Sequence, residues 1–198
     1  MPRPSSRRRV AEVAFALFEE RSYDEVTVAE IAATAGVTER TVYRTYGSKL
    51  DILLGDVGDR TVEFIAALYR QPAELGVIDA LVAAVEATEP SVDTQADDLR
   101  RIRLMFSSPQ LVGEWASYEH ELAAEFSRWI AQRTGADADD VEVEVFAASL
   151  VAARRIAMQR WVADPGSELM GHGLGALAAL RSHPLNTVTA VTGADTTH

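Results

Sequence analysis

The sequence predicts an all-α fold, and three features carry that expectation. Capping signals punctuate residues 26–51. Apolar residues elsewhere recur at i, i+3, i+4 and i+7, the spacing of one helix face. Prolines at 72, 90, 109 and 165 divide the remainder into helix-length segments, none with the strict alternation of a half-buried strand. Val-Glu-Val-Glu-Val at 141–145 comes nearest, but it runs unbroken into residues 146–161, so it is expected to open a helix.

Taken in order, residues 1–6 are expected to form a flexible arm in which Arg3, followed by Arg7, Arg8 and Arg9, touches DNA phosphates or reaches into the minor groove, or else is a solvated tail. A first helix is expected from Ser6 to Arg21, with Val10, Val13, Ala14, Leu17 and Phe18 as its apolar stripe. Ser22-Tyr23-Asp24 is the connection. Thr27 followed by Glu30 has the capping-box spacing, so a second helix starts at about Val28, with Ala29, Ile31, Ala32 and Ala35 as its small apolar face. Gly36 stops it, Val37 plugs the turn, and Thr38 caps a further helix over Glu39–Tyr46. Ser48 and Asp51 repeat the capping pattern. The helix they open is expected to continue through Leu54, Val57, Phe64 and Leu68 to about Arg70, weakened at Gly55 and Gly58 by about 1 kcal/mol each. Later helices are expected near 75–88, 94–107, 109–133, 139–163 and 167–181, followed by a Ser/Thr/Gly-rich tail, 182–198, expected to be disordered.

Helix, short glycine-containing turn, helix is the helix-turn-helix unit, whose second helix can lie in a DNA major groove. An ordinary helical hairpin with a solvated face has the same outline. In Glu39–Tyr46, Val42 and Tyr46 are four apart and can pack inward. Glu39, Arg40, Thr41, Tyr43 and Arg44 are then left facing out. Arginine can donate two bonds to guanine, and hydroxyls reach bases or phosphates.

The charge distribution agrees. The 198 residues carry a net charge of −11, which excludes a protein that coats nucleic acid with its whole surface. Residues 1–50 hold eight Lys/Arg against seven Asp/Glu, leaving −12 for the rest. A near-neutral head on an acidic body presents one end to DNA. There is no cysteine, hence no disulfide framework or thiolate chemistry. No apolar run approaches the ~20 residues of a membrane span, and the N-terminus lacks a signal-peptide core, so a cytoplasmic protein without a membrane partner is expected.

The stretch TVAEIAATAGVTERTVYRTYGSKLDIL resembles the DNA-binding domain of the TetR/AcrR family of transcriptional regulators. The features that match are T-V-A-E-I-A, A-G-V, T-x-x-T-V-Y-R-x-Y, and G-S-K before a long helix, within Arg7 to about Leu54. Gly47 departs from the proline many members carry, and Leu50-Asp51 from a frequent acidic pair. The resemblance implies DNA contacts from Thr27, Thr38, Glu39, Arg40, Thr41, Tyr43, Arg44 and Lys49. Tyr43 and Lys49 would serve as phosphate anchors, Lys49 at a helix N-terminus that itself favours anions. The domains expected are 1–54 for DNA and 55–181 for effector binding and dimerisation.

In the body, Leu111, Trp115, Tyr118, Leu122, Phe126, Trp129 and Ile130 make a broad apolar face, as do Leu99, Ile102, Met105 and Phe106. All of these can be plain core. Alternatively Phe64, Leu68, Ile102, Met105, Phe106, Trp115, Tyr118 and Leu122 enclose an apolar ligand, with Arg100, Arg101 or Arg103 at the mouth for an acidic head group. Periodicity does not separate a filled core from a hollow one. Residues 100–135 with 147–164 also resemble the TetR subgroup that binds acyl-CoA-like ligands, which makes an acyl-CoA the first candidate effector. Phe146, Leu150, Ala153, Ala157 and Trp161, with Leu169, Met170, Gly173, Leu174, Leu177 and Leu180, are expected to pair with a second copy in a four-helix dimer interface. Gly171, Gly173 and Gly175 would permit close approach there. The family resemblance implies the same dimer.

No catalytic constellation is present. His120, His172, His183 and His198 stand in no strong metal spacing. Gly171–Gly175 follows no strand, so it is no phosphate loop. Ser107 and Ser108 lack a nucleophile-elbow context. The carboxylates at 137–144 read as a helix N-terminal cluster. No cofactor is expected. The sequence therefore points to a ligand-responsive dimeric repressor acting on a palindromic operator. A ligand-independent DNA-binding protein, and an enzyme or carrier using the helical body, are the alternatives.

Overall fold

The computed structural model describes residues 6–88 and 92–186, and every regular element among them is helical. In chain order these are α1 (Ser6–Arg21), α2 (Val28–Ala35), α3 (Glu39–Thr45), α4 (Lys49–Leu54), α5 (Asp56–Arg70), α6 (Val77–Ala87), α7 (Val92–Met105), α8 (Pro109–Thr134), α9 (Val141–Ala163), α10 (Leu169–Ala178) and a 3-10 turn at Pro184–Asn186. The chain separates into two compact units, Met1–Glu63 with Pro90–Tyr118 and Phe64–Glu89 with Glu119–His198. The boundary falls inside α5 and inside α8. Arg3 and the rest of residues 1–5, together with tail residues 187–198, lie outside the described residues.

In the first unit α1 buries Val10, Ala11, Ala14, Phe15 and Phe18, whereas Val13 and Leu17 are only half-buried. The stripe therefore turns further around the helix than the expected one, because partners lie on two sides. α2 supplies Ile31, Ala32 and Ala35, α3 supplies Val42, and α4 is buried at Leu50, Ile52, Leu53 and Leu54. On the far side of α1, Arg100 and Arg101 of α7 lie 5.0 and 4.5 Å from the Phe15 ring. Arg100 also pairs with Glu19, and Arg101 donates to the Leu53 carbonyl. These two arginines, expected at a ligand mouth, brace α1 and α4. Arg103 is exposed.

The expected continuous helix from Ser48 to Arg70 is two helices. Gly55 between them adopts φ +53°, ψ −123°, which a side chain would strain, and its N–H closes α4 on the Asp51 carbonyl. Helix α3 likewise ends one residue early: Tyr46 leaves it in an extended conformation.

In the second unit α6 buries Val77, Ile78, Ala80, Leu81 and Ala84, and α8 buries Leu122, Phe126, Trp129 and Ile130. Helix α9 buries Val143, Phe146, Ala147, Leu150, Val151, Ala153, Ala157, Met158 and Trp161, and α10 packs along it. Residues 182–186, expected in the disordered tail, are folded. Asn186 Oδ1 accepts from the Ile78 N–H at 2.8 Å, capping α6 where Gly76 has no side chain to do so. His183 stacks flat on Phe146 with ring centroids 4.0 Å apart, and Arg181 pairs with Asp79 at 2.6 Å.

Candidate nucleic-acid interface

Helices α2 and α3 are defined by their caps. Thr27 Oγ1 accepts from the Glu30 N–H at 3.2 Å, and the Glu30 carboxylate accepts from the Thr27 N–H at 2.8 Å. Arg21 reaches the same carboxylate at 2.7 Å; this bond first, then those from Thr27, holds Glu30 down at about 2. Gly36 takes φ +66°, and the bonds Gly36 N–H to Ala33 O and Val37 N–H to Ala32 O close α2 in a Schellman turn. Thr38 Oγ1 accepts from the Thr41 N–H at 3.2 Å and opens α3.

Val42, 0% exposed, and Tyr46, 3% exposed, fix the inner side of α3. Glu39, Arg40, Tyr43 and Arg44 are consequently exposed, with Thr41 half-buried. Arg40, Tyr43 and Arg44 share one face, at i, i+3 and i+4. Among the described residues none hydrogen-bonds or pairs with these three side chains. Two arginines and a phenol held out on a pinned helix can meet base edges and phosphates without first breaking internal bonds. The Thr27 and Thr38 hydroxyls, by contrast, already hold helix starts.

The basic start of α1 is used differently than expected. Arg7 folds back onto the Thr45 carbonyl and Asp59, Arg8 pairs with Glu12 at 2.8 Å, and Arg9 is exposed. Lys49 also points inward. Its ammonium donates to the Tyr23 carbonyl and lies 4.0 Å from the Tyr23 ring centroid, and burial pulls its pKa below the ordinary lysine value.

Tyr23 was only a connection in the sequence, yet it is fully buried. Its hydroxyl donates to Glu114 at 2.7 Å, and burial followed by that carboxylate pushes the phenol up. Next to it, Ser108 Oγ donates to Asp24 at 2.8 Å and accepts from the Leu111 N–H, so Ser108 is the cap of α8 rather than a nucleophile. The one available signal was a tyrosine too large and apolar for a solvated turn.

The eight residues expected around a ligand divide between the units. In the first, Ile102, Met105 and Trp115 are buried, and Phe106 and Tyr118 are half-buried. The Trp115 and Tyr118 rings lie 4.7 Å apart, and the Tyr118 hydroxyl donates to Thr61 at 3.0 Å. In the second, Leu68 and Leu122 are buried, and half-buried Phe64 meets Phe126 edge-on at 6.4 Å. Glu119, buried in that unit, is ion-paired with Arg155 at 3.1 Å, while His120 and Glu121 are exposed. No group of acids and histidines among the described residues is arranged to hold a metal, and none of their helices is long and apolar enough to cross a membrane.

The α9 residues expected at a dimer interface, Phe146, Leu150, Ala153, Ala157 and Trp161, are buried within the chain, as is Leu177 of α10. They are core. The large apolar side chains that α9 and α10 leave exposed are Val141, Val145, Ile156 and Leu174. Gly171, Gly173 and Gly175 have nothing within 4 Å of where a Cβ would stand, so they make no close approach inside the chain.

Residues 11–55 match the family described as bacterial regulatory proteins, tetR family, and residues 75–183 match the MftR C-terminal domain. A regulator of Mycobacterium tuberculosis (strain ATCC 25618 / H37Rv) named for mycofactocin biosynthesis, MftR, is 25% identical over 175 residues, 88% of this chain and 88% of its own. The HTH-type transcriptional regulator TcmR of Streptomyces glaucescens is 26% identical over 185 residues, 89% of this chain and 82% of its own. Among solved structures, Thermus thermophilus FadR, a TetR family transcriptional repressor in complex with lauroyl-CoA, matches with a TM-score of 0.57 at 22% identity, covering 95% of this chain and 100% of that one. At that identity the likeness establishes the fold.

Proposed function

The chain belongs to the bacterial TetR family of regulatory proteins, and on that premise we propose that it is a dimeric repressor that binds a palindromic operator and leaves it when a small apolar or amphipathic effector occupies its body. The observation that carries this is the face of Arg40, Tyr43 and Arg44, turned out by buried Val42 and Tyr46 and engaged by nothing else among the described residues. Residues 1–54 are the DNA-binding part and 55–181 the part that takes the effector and the second copy. Such a protein works in the cytoplasm, where its operator is.

Arg40 and Thr41 read bases; Tyr43, Arg44 and Lys49 serve phosphates, with Thr27, Thr38 and Glu39 at the margins. Lys49 carries two roles in this reading. Lys49→Ala is expected to weaken binding to all sequences alike and to flatten the salt slope by about one unit. Loss of the bond to Tyr23 would lower the melting temperature besides. An unchanged slope with a lowered melting temperature would leave Lys49 as a brace alone.

The effector reading rests on the aromatic side chains Phe106, Trp115 and Tyr118, with the Tyr118–Thr61 hydroxyl pair as a polar handle. Ile102 and Met105, buried in the same unit, complete the part of the expected set that this unit holds; Phe64, Leu68 and Leu122 belong to the other unit. The lauroyl-CoA held by the T. thermophilus relative makes an acyl-CoA the first ligand to try. An effector releases DNA only by binding one conformation better than the other. The experiment titrates a preformed protein–operator complex with acyl-CoAs of increasing chain length. Release is expected at lower concentration as the chain lengthens, and Trp115→Ala is expected to raise the required concentration about tenfold. Release by none of them would favour a ligand-independent regulator or an effector of another class.

A further inference from the structure

We propose that Arg7 is a positioning residue for DNA binding, fixing the far end of the recognition helix through contacts within the chain rather than with DNA. The inference rests on the reading of α3 as the helix that meets DNA. Electrostatics alone would send an arginine in a run of three toward phosphate. The guanidinium goes elsewhere. One nitrogen donates to both carboxylate oxygens of Asp59, at 2.8 and 3.0 Å, and another donates to the Thr45 carbonyl at 3.3 Å. The group lies 4.8 Å from the Tyr46 ring centroid, and the Tyr46 hydroxyl donates back to the Arg7 carbonyl at 2.9 Å.

These contacts meet a specific need. Helix α3 has seven residues, too few to be stable in isolation. Thr38 holds its start, but the chain leaves its end as extended backbone at Tyr46, so no further turn accounts for the Thr45 carbonyl. A cation at a helix C-terminus supplies both the missing donor and a favourable charge. The same guanidinium crosses the joint at Gly55, since Thr45 precedes that break and Asp59 follows it on α5. Arg7 thus fastens the end of α3 to α5. Two partners in different directions require the planar fork of arginine; a lysine reaches one of them.

The sign of one substitution separates this role from a phosphate contact. Asp59→Asn removes a negative charge from the unit that faces DNA, so electrostatics alone predicts tighter binding to every sequence. Loss of the fastening predicts weaker binding to the chosen site. The probe is the tightest duplex that the wild-type protein selects from a randomised library, with an unselected duplex as control. Arg7→Ala, Arg7→Lys and Asp59→Asn are each expected to lose on the order of tenfold on the selected duplex with less change on the control, and Arg7→Ala with Asp59→Asn to lose no more than either alone. The salt slope of Arg7→Lys is expected to equal that of wild type. Melting curves establish that each variant is folded at the assay temperature. Tighter binding by Asp59→Asn, wild-type behaviour of Arg7→Lys, or additive losses would overturn the proposal and return Arg7 to the phosphates. Failure of the wild type to select any duplex would overturn the DNA-binding reading together with it.

Discussion

Replacing Ile156 and Leu174 together with glutamate is expected to yield folded monomers and to weaken operator binding by about 10²–10⁴-fold. Both side chains are exposed on the single chain, at 45% and 37%, so the substitutions put no charge into its buried core. On α9, Val141, Val145 and Ile156 fall close to one helical stripe, and on α10 Gly171, Leu174 and Gly175 share another. The open space above those glycines is what a second backbone would enter. A charge placed in such an apolar seam is costly unless it is paired. The loss of DNA affinity follows because a dimer delivers its second recognition helix at high effective concentration, about 34–36 Å from the first in adjacent major grooves, and a monomer does not. Sedimentation gives the mass and circular dichroism the fold. Leu177→Glu is the control: that leucine is buried within the chain, so its replacement should unfold the protein rather than divide it. A double variant that remains a full-affinity dimer would move the interface off these faces.

The first helices were legible because local chemistry decides them. Thr27 with Glu30, Gly36, and Ser48 with Asp51 act within one turn of themselves, and each does what its spacing implies. The inward role of Val42 followed from its place on a short helix; Tyr46 is buried as expected, although it stands one residue past the end of that helix. What the sequence did not reveal depends on partners far along the chain. Arg7 and Lys49 look like surface cations until Asp59, Thr45 and Tyr23 are brought beside them. Arg100 and Arg101 have the composition of a ligand mouth and the surroundings of a brace. The Gly55 break was read as a weakness because a single glycine inside a helical pattern carries no mark of its φ angle. In α9 the large residues pointed to an interface and proved to be core: an apolar face states that something covers it, not which chain does.

Arg40→Ala is expected to cost about 1–3 kcal/mol on the selected operator and clearly less on random DNA. Arg40 is the second residue of α3, in the first turn after the Thr38 cap, and the N-terminal residues of a recognition helix are those that reach base edges. Its side chain is exposed, and no described residue competes for it. It can therefore bring its donors to DNA without the cost of first releasing an internal partner, and two parallel bonds to guanine O6 and N7 would distinguish that base pair from the other three. Arg44, four residues on, shares the face but stands one turn deeper into a helix that ends at Thr45. On the proposed docking it meets the backbone, so Arg44→Ala should lower affinity for operator and random DNA alike and flatten the salt slope by about one unit. The two variants predict opposite patterns in one pair of measurements, affinity for each duplex across a salt series. Arg40→Ala should lower the specificity ratio; Arg44→Ala should leave the ratio and lower both affinities. If Arg40→Ala loses equally on both duplexes, its guanidinium sits on phosphate, and base readout passes to Thr41, whose hydroxyl is 2.9 Å from that of Thr38 and would have to turn from it to reach a base.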